Sequence, residues 1–275
     1  MVHRHHLHQG LSEGARRHGV EIIIDARVTN IDYESDGPVK VTTYSGKQYE
    51  FDLLIGSDGL KSVVRKSLFP EVRPRAPTTN AAYRAVIPYE EVFSKHPDLK
   101  SILGNTINVW MAENGYAISY PISGGKDLNF VLSHHRKAKV EDVEEVNIEE
   151  LHSFYRDWDP RLVKVVEMVN ESKRWPLMVT GPLKSWSSPK KNVVLIGDAA
   201  HSMVNHMAQG AATSMEDGAF LGRVILEVVR GVISLPEAIT LYEQKRMPRA
   251  FAKQQVSFLM GATFHLEDGP RQQVC

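Results

Sequence analysis

An acid at position 198 closes a run that begins Val193-Val194-Leu195-Ile196-Gly197. Four apolar residues are too few for a helix, and the glycine bounds them, so they read as a strand buried on both faces. Asp198 then sits at the carboxyl end of that strand, where a carboxylate can accept hydrogen bonds from the hydroxyls of a ligand. Ala199 and Ala200 follow, and after a loop Gln209-Gly210-Ala211-Ala212 opens a segment in which Ala219, Leu221, Val224, Ile225 and Val228 recur at helical spacing. A helix start carries unpaired N–H groups and partial positive charge, which suits a phosphate or the electron-rich carbonyl edge of a ring. A second apolar run, Phe51 to Gly56, leads in the same way into Ser57-Asp58-Gly59, with Ser62 as N-cap of a helix over 63–68. In an open parallel sheet ligands bind beyond the carboxyl ends of the strands, so two such ends predict one shared crevice.

The elements that must hold these residues follow from the pattern. Residues 1–20 predict a helix, with Leu7, Leu11 and Ala15 in register and Gly19 as its stop. Glu21 to Ala26, around Ile22-Ile23-Ile24, predicts a strand that 28–33 continues, and 39–44 with 48–51 predict a hairpin across Ser45-Gly46-Lys47. The texture changes between about Arg73 and Ser187. Strand-like runs at 81–88, 107–111, 116–122 and 128–134, with Gly124-Gly125 as a turn, alternate with helical 148–157 and 160–169, while 141–150 reads as an acidic, solvated stretch. Helices are expected at 235–249 and, beyond Pro248, at 251–260. The predicted fold is α/β, with a mostly antiparallel domain inserted between the two halves of the α/β part, as a substrate lid would be.

Composition narrows the partners. The 275 residues contain 33 Lys plus Arg and 33 Asp plus Glu, so no global field favours nucleic acid or an anionic membrane. No apolar run reaches membrane-spanning length, and the single cysteine, Cys275, cannot form an intrachain disulfide. A cytoplasmic protein acting on a small molecule is expected, with its oligomeric state open.

Two other chemistries are excluded. His3, His5, His6 and His8 have no carboxylate or cysteine spaced to close a metal site, so no metal is expected. Asp198, His201 and Ser202 are too close in sequence for hydrolase geometry, and no serine occupies a G-x-S-x-G turn.

With these residues assembled, the chain resembles the FAD-dependent aromatic hydroxylases of the salicylate hydroxylase type, including members from fungal secondary metabolism. Leu54-Ile55-Gly56-Ser57-Asp58-Gly59 through Ser62 and Arg65 resembles the family motif near flavin and pyridine nucleotide. Gly197-Asp198-Ala199-Ala200-His201, Gln209-Gly210-Ala211 and Glu216-Asp217 resemble the motif that grips the ribityl chain and flavin ring, and Val2-His3-Arg4 with Leu7 a helix start whose arginine touches FAD. The resemblance implies an FAD-binding domain over 1–75 and 188–275 and a substrate-binding domain over 76–187. It implies cofactor contacts from Arg4, Asp58, Gly59, Asp198, Gly210 and Ala211. It also implies substrate-facing, catalytic roles for Arg84, as a fixed cation, and for Tyr120. The implied reaction is reduction of FAD by NAD(P)H as co-substrate, then O₂-dependent hydroxylation of an aromatic small molecule.

The chain departs from the family in three places. No G-x-G-x-x-G turn for the FAD pyrophosphate lies upstream of Arg4, Ser202 and Asn205 stand where the family usually has prolines, and the carboxyl end is short. The alternative expectation is therefore a truncated or degenerate homologue without catalysis, serving as an interaction or regulatory partner through an open sheet edge.

Overall fold

The computed structural model describes residues 3–273; Val2 and Cys275 lie outside them. In chain order the elements are α1 (Arg4–Arg17), β1 (Val28–Asp32), β2 (Val39–Thr43), β3 (Gln48–Phe51), β4 (Leu54–Gly56), α2 (Val63–Leu68), β5 (Asn80–Pro88), α3 (Tyr89–Lys95), α4 (Lys100–Leu103), β6 (Asn108–Ala112), β7 (Gly115–Ile122), β8 (Asp127–His135), β9 (Glu144–Glu145), α5 (Ile148–Tyr155), α6 (Pro160–Val166), β10 (Lys173–Pro176), β11 (Val193–Leu195), α7 (Asp198–His201), α8 (Gly210–Val229), α9 (Leu235–Phe264) and α10 (Pro270–Gln273). The described residues of Met1–Ile22, Thr78–Pro176 and Ala262–Cys275 cluster as one compact unit, and Ile23–Pro77 with Leu177–Gly261 as a second.

The first unit is built on an antiparallel sheet of order β6-β7-β8-β5-β10-β9. Its longest ladder runs from Asn80↔His135 to Pro88↔Asp127. Successive side chains of a strand take opposite faces, and Tyr83 and Arg84 illustrate the division. Tyr83 is 1% exposed in a core with Ile87, Leu128, Phe130, Leu132, Leu151, Tyr155 and Leu162, whereas Arg84 is exposed. Burying each such large apolar side chain contributes about 2 kcal/mol, which fixes the register and hence the face that Arg84 occupies. β10, α3, α4 and α10 have no counterpart among the expected elements. The acidic stretch supplies the two-residue edge strand β9, both residues of which stay exposed.

The second unit contains the antiparallel β1-β2-β3 sheet and a parallel pair, β4 and β11. Val193, Val194 and Leu195 are fully buried, packed in one cluster with Leu221 and Val224 of α8 and Ile239, Tyr242 and Ala250 of α9. The Tyr242 hydroxyl donates to the Leu195 carbonyl at 3.2 Å.

Three local expectations differ from the structure. Glu21 to Ala26 forms no strand, and Ile22, Ile23 and Ile24 are 38%, 45% and 78% exposed. β-propensity does not suffice when no neighbouring strand takes up the backbone N–H and C=O groups. α1, which has no buried residue of its own, groups with the antiparallel unit. The two helices expected around Pro248 are one helix, α9, with Pro248 inside it. A proline costs a helix interior about 3 kcal/mol. Buried anchors on both sides offset it: Arg246 before the proline bonds Asp217, while Gln254 and Ser257 after it bond the carbonyls of Thr180, Ser202 and Val204. The short α7 occupies the start of the expected loop after Gly197.

Candidate functional site

The two strand ends lie side by side. β4 and β11 pair in parallel, with Leu54↔Val193, Ile55↔Val194 and Leu195↔Gly56, and the Ile196 N–H donates to the Gly56 carbonyl at 3.0 Å. Gly56 permits this approach, since a Cβ there would stand 2.7 Å from Val64 Cβ and 2.8 Å from Leu195 Cδ2. Gly197 turns the chain out of β11 at φ 60°, where L side chains are strained, and a Cβ would meet Ser214 Oγ at 2.8 Å.

Asp198 emerges from this turn exposed, as the first residue of α7. Its Oδ1 lies 4.0 Å from where a Cβ on Gly210 would be, so the carboxylate stands beside the start of α8. No side chain caps that 20-residue helix and no acid lies in its first turn. The N–H groups at Gly210 and Ala211 therefore remain available to an acceptor.

Asp58 is committed differently. Its Oδ1 accepts from Ser62 Oγ at 2.5 Å, and its Oδ2 from the N–H groups of Val63 at 2.7 Å and Val64 at 3.2 Å. The carboxylate is thus part of the N-terminal cap of α2, and what the segment offers outward is the turn at Gly59, with φ 76°. Arg65, 1% exposed, ties the two strand ends together, donating from Nη1 to Ala199 O at 2.8 Å and from Nη2 to Leu60 O at 2.5 Å. Burial lowers its pKa from the ordinary value, and the Asp58 charge opposes that.

Beneath the site lies a buried acid. Asp217 is fully buried and accepts from the Gly197 N–H at 3.1 Å, His201 Nε2 at 2.5 Å and Arg246 Nε at 2.8 Å. Burial alone would raise its pKa; the hydrogen bonds and charge of His201, with the bonds from Arg246 and Gly197, overcome this and leave it lowered. Asp217 thus fixes the residue that aims Asp198. The motif Glu216-Asp217 contains it, and its helical spacing supplied the signal for its burial: Thr213, Asp217, Leu221 and Val224 form the buried stripe of α8.

In the antiparallel unit, register places the substrate-facing candidates. Arg84 pairs with Val131, and Tyr120 and Val86 each pair with Asn129, so Arg84, Tyr120 and Asn129 share one face of the sheet. The protein packed around Arg84 lowers its pKa from the ordinary value, the charge of Arg4 adds to this, and Tyr120 acts in the opposite sense. Arg4, Arg84 and Tyr120 are therefore electrostatic neighbours. Asn129, which the sequence did not single out, is 5% exposed, and its Nδ2 has no hydrogen-bond partner. β8 is buried along almost its whole length on both faces, so no alternation marked this residue. The same face carries the exposed apolar side chains of Val86 and Val109.

Among the described residues no group of three or more His, Cys, Asp or Glu could hold a metal, and no helix is long and apolar enough to cross a membrane.

Parallel strand ends, an exposed acid and an uncapped helix start define a nucleotide-cofactor-binding α/β unit, carried in one chain with an antiparallel sheet. The chain belongs to the FAD binding domain family, which matches residues 1–257. It is 29% identical over 280 residues to the FAD-dependent monooxygenase OpS4 of Beauveria bassiana, covering 99% of this chain and 64% of that protein. It is 32% identical over 269 residues to a 3-hydroxybenzoate 6-hydroxylase of Polaromonas naphthalenivorans, covering 97% and 64% respectively. A salicylate hydroxylase solved as a substrate complex shares the fold, with TM-score 0.80 and 20% identity over 94% of this chain and 66% of that one. The chain thus spans a little under two thirds of the length of these relatives.

Proposed function

We propose that the chain takes part in FAD- and NAD(P)H-dependent hydroxylation of an aromatic or polyketide-like small molecule, with O₂ as the oxygen source. The observation that carries this reading is the exposed Asp198 carboxylate at a strand end, beside the uncapped start of α8. The donor set fits part of a flavin nucleotide. Asp198 would accept hydrogen bonds from the ribityl hydroxyls, and the N–H groups of Gly210 and Ala211 would stabilise negative charge at the ring's carbonyl edge. Gly59 is a further cofactor contact, with Asp58 acting by shaping the turn at its helix cap. No G-x-G-x-x-G turn for the pyrophosphate occurs in the sequence. FAD, when bound, supplies the redox chemistry between NAD(P)H and O₂.

On the substrate side, Arg84 would hold a carboxylate or phenolate, and Tyr120 would hydrogen-bond a ring hydroxyl. The unpartnered Nδ2 of Asn129 would donate to an acceptor on the same molecule, since a buried donor left unsatisfied costs about 1–3 kcal/mol. Val86 and Val109 would cover the ring and exclude water. A hydroxylated aromatic acid, the class to which the relative's 3-hydroxybenzoate belongs, matches this set.

Titration of the purified chain with FAD, followed by quenching of flavin fluorescence, tests the reading. Saturable one-to-one binding, weakened by Asp198→Ala, is expected, with NAD(P)H oxidation stimulated by hydroxybenzoates. A folded chain that leaves flavin fluorescence unchanged would sink the cofactor assignment and leave the interaction-partner alternative.

A further inference from the structure

The second unit contains a cavity of about 300 Å³ lined by Pro182, Leu183, Trp186, His201, Phe251 and Gln254, with Ala200, Met247 and Pro248 completing its wall. Ala200 and His201 belong to the segment 197–201 that resembles the flavin motif, but both are buried and neither is among the flavin or substrate contacts proposed above. The wall is apolar and aromatic, and no aspartate, glutamate, lysine or arginine faces it. Gln254 commits its amide nitrogen to the carbonyls of Thr180 and Ser202, both at 2.9 Å.

His201 differs. It is 2% exposed, its Nε2 is held by Asp217 at 2.5 Å, and its Nδ1 has no hydrogen-bond partner. The ring of Trp186 packs against it with centroids 5.0 Å apart. Since the Nε2 hydrogen goes to the carboxylate, a neutral imidazole leaves Nδ1 as an acceptor, and an imidazolium leaves it as a donor. A hydroxyl serves either state. An ionised ligand would lose its hydration in this wall without a countercharge, which excludes a free carboxylate or phosphate.

We propose that this cavity is a second binding site, for a neutral aromatic molecule of one or two rings that bears a hydroxyl. The ring lies among Trp186, Leu183 and Phe251, and the hydroxyl completes the hydrogen bonding of His201 Nδ1. The volume is at the lower end for small-molecule sites, roughly 300–1,000 Å³, which limits the ligand to this size. The site does not depend on flavin, so it stands or falls separately from the proposed reaction.

Calorimetric titration of the purified chain with 2-naphthol, and with 2-methoxynaphthalene, which lacks the O–H, tests the proposal. One-to-one binding of 2-naphthol is expected, at least about tenfold tighter than the ether. Phe251→Arg, at a position 44% exposed, places a long cation in the cavity without disturbing the core, and should weaken binding at least about tenfold while circular dichroism and melting stay unchanged. His201→Gln should weaken it as well, and if that variant does not fold, Phe251→Arg decides alone. Arg84→Met should bind 2-naphthol as the parent does. No saturable heat, equal affinity for the ether, full affinity in Phe251→Arg, or loss of binding in Arg84→Met would each overturn the assignment.

Discussion

The guanidinium of Arg65 donates to the backbone carbonyl of Ala199 at 2.8 Å across a sequence separation of 134 residues. One side chain thereby fixes the distance between the two loops that leave β4 and β11. Replacing it with methionine removes two charge-assisted hydrogen bonds, to Ala199 and Leu60, but also relieves a buried cation whose Nε has no partner. The net loss expected for Arg65→Met is about 2 kcal/mol in urea unfolding, with Arg65→Lys intermediate. A variant as stable as the parent would show that the tie is dispensable.

Asp217→Asn leaves Arg246 and His201 buried beside a neutral amide. Breaking a buried pair in this way costs about 3 kcal/mol or more. The folded-state pKa of Asp217 is lowered, so its carboxylate contributes stability above the unfolded value, and that contribution is lost as pH falls through the folded one. The variant should therefore be less stable at pH 7 and have a shallower acid limb below about pH 4. Chemical denaturation at several pH values measures both.

His134 makes the opposite commitment, to neutrality. Burial, with smaller contributions from Arg136, Arg174 and His135, holds its pKa down from 6.5 to about 3, and its ring stacks between Tyr83 and Phe154. Below pH 6.5 the unfolded chain takes up a proton that the folded chain refuses, so stability falls as pH falls. The expected loss is about 2 kcal/mol between pH 6.5 and 4.5. His134→Phe should flatten that window, and a parent protein equally stable at both pH values would refute the assignment.

Arg84→Met should raise KM for a hydroxybenzoate by about a hundredfold, the scale of a lost charge-assisted contact, while leaving the FAD titration unchanged. Asn129→Leu, which fills the same space without the unpartnered donor, should also raise KM but not lower stability. Steady-state kinetics beside thermal melts separates the two. Equal effects on FAD binding would show that these residues shape the fold instead of holding the substrate.

The sequence made much of this architecture legible where a residue's type and its neighbours' spacing agreed. Val193 to Leu195 had to be a buried strand, and the small residues after it had to admit a close helix, so the juxtaposition of Asp198 with Gly210 could be anticipated. Ile22 to Ile24 misled because a strand is a property of a pair, and the pairing partner is not a local signal. Pro248 misled because its local cost is outweighed by Arg246, Gln254 and Ser257, whose partners lie far away in sequence. Asp58 is a different case: its carboxylate is taken up locally by Ser62, Val63 and Val64, in the same short stretch whose N-cap signal at Ser62 was legible. Asn129 gave no signal at all, because a strand buried on both faces hides which of its polar groups lack partners.

The parallel pairing of Leu54 with Val193 also sets an order of events during synthesis. The two strands are separated by roughly 140 residues, and closing so long a loop costs entropy that only the completed contact repays. β4 leaves the ribosome early and must wait, while the hairpin of β7 and β8 forms from residues that are adjacent in the chain. The crevice between the two strand ends can close only after the whole intervening segment has emerged. A chaperone that shields the apolar residues of β4 during this interval would therefore raise the yield of folded protein.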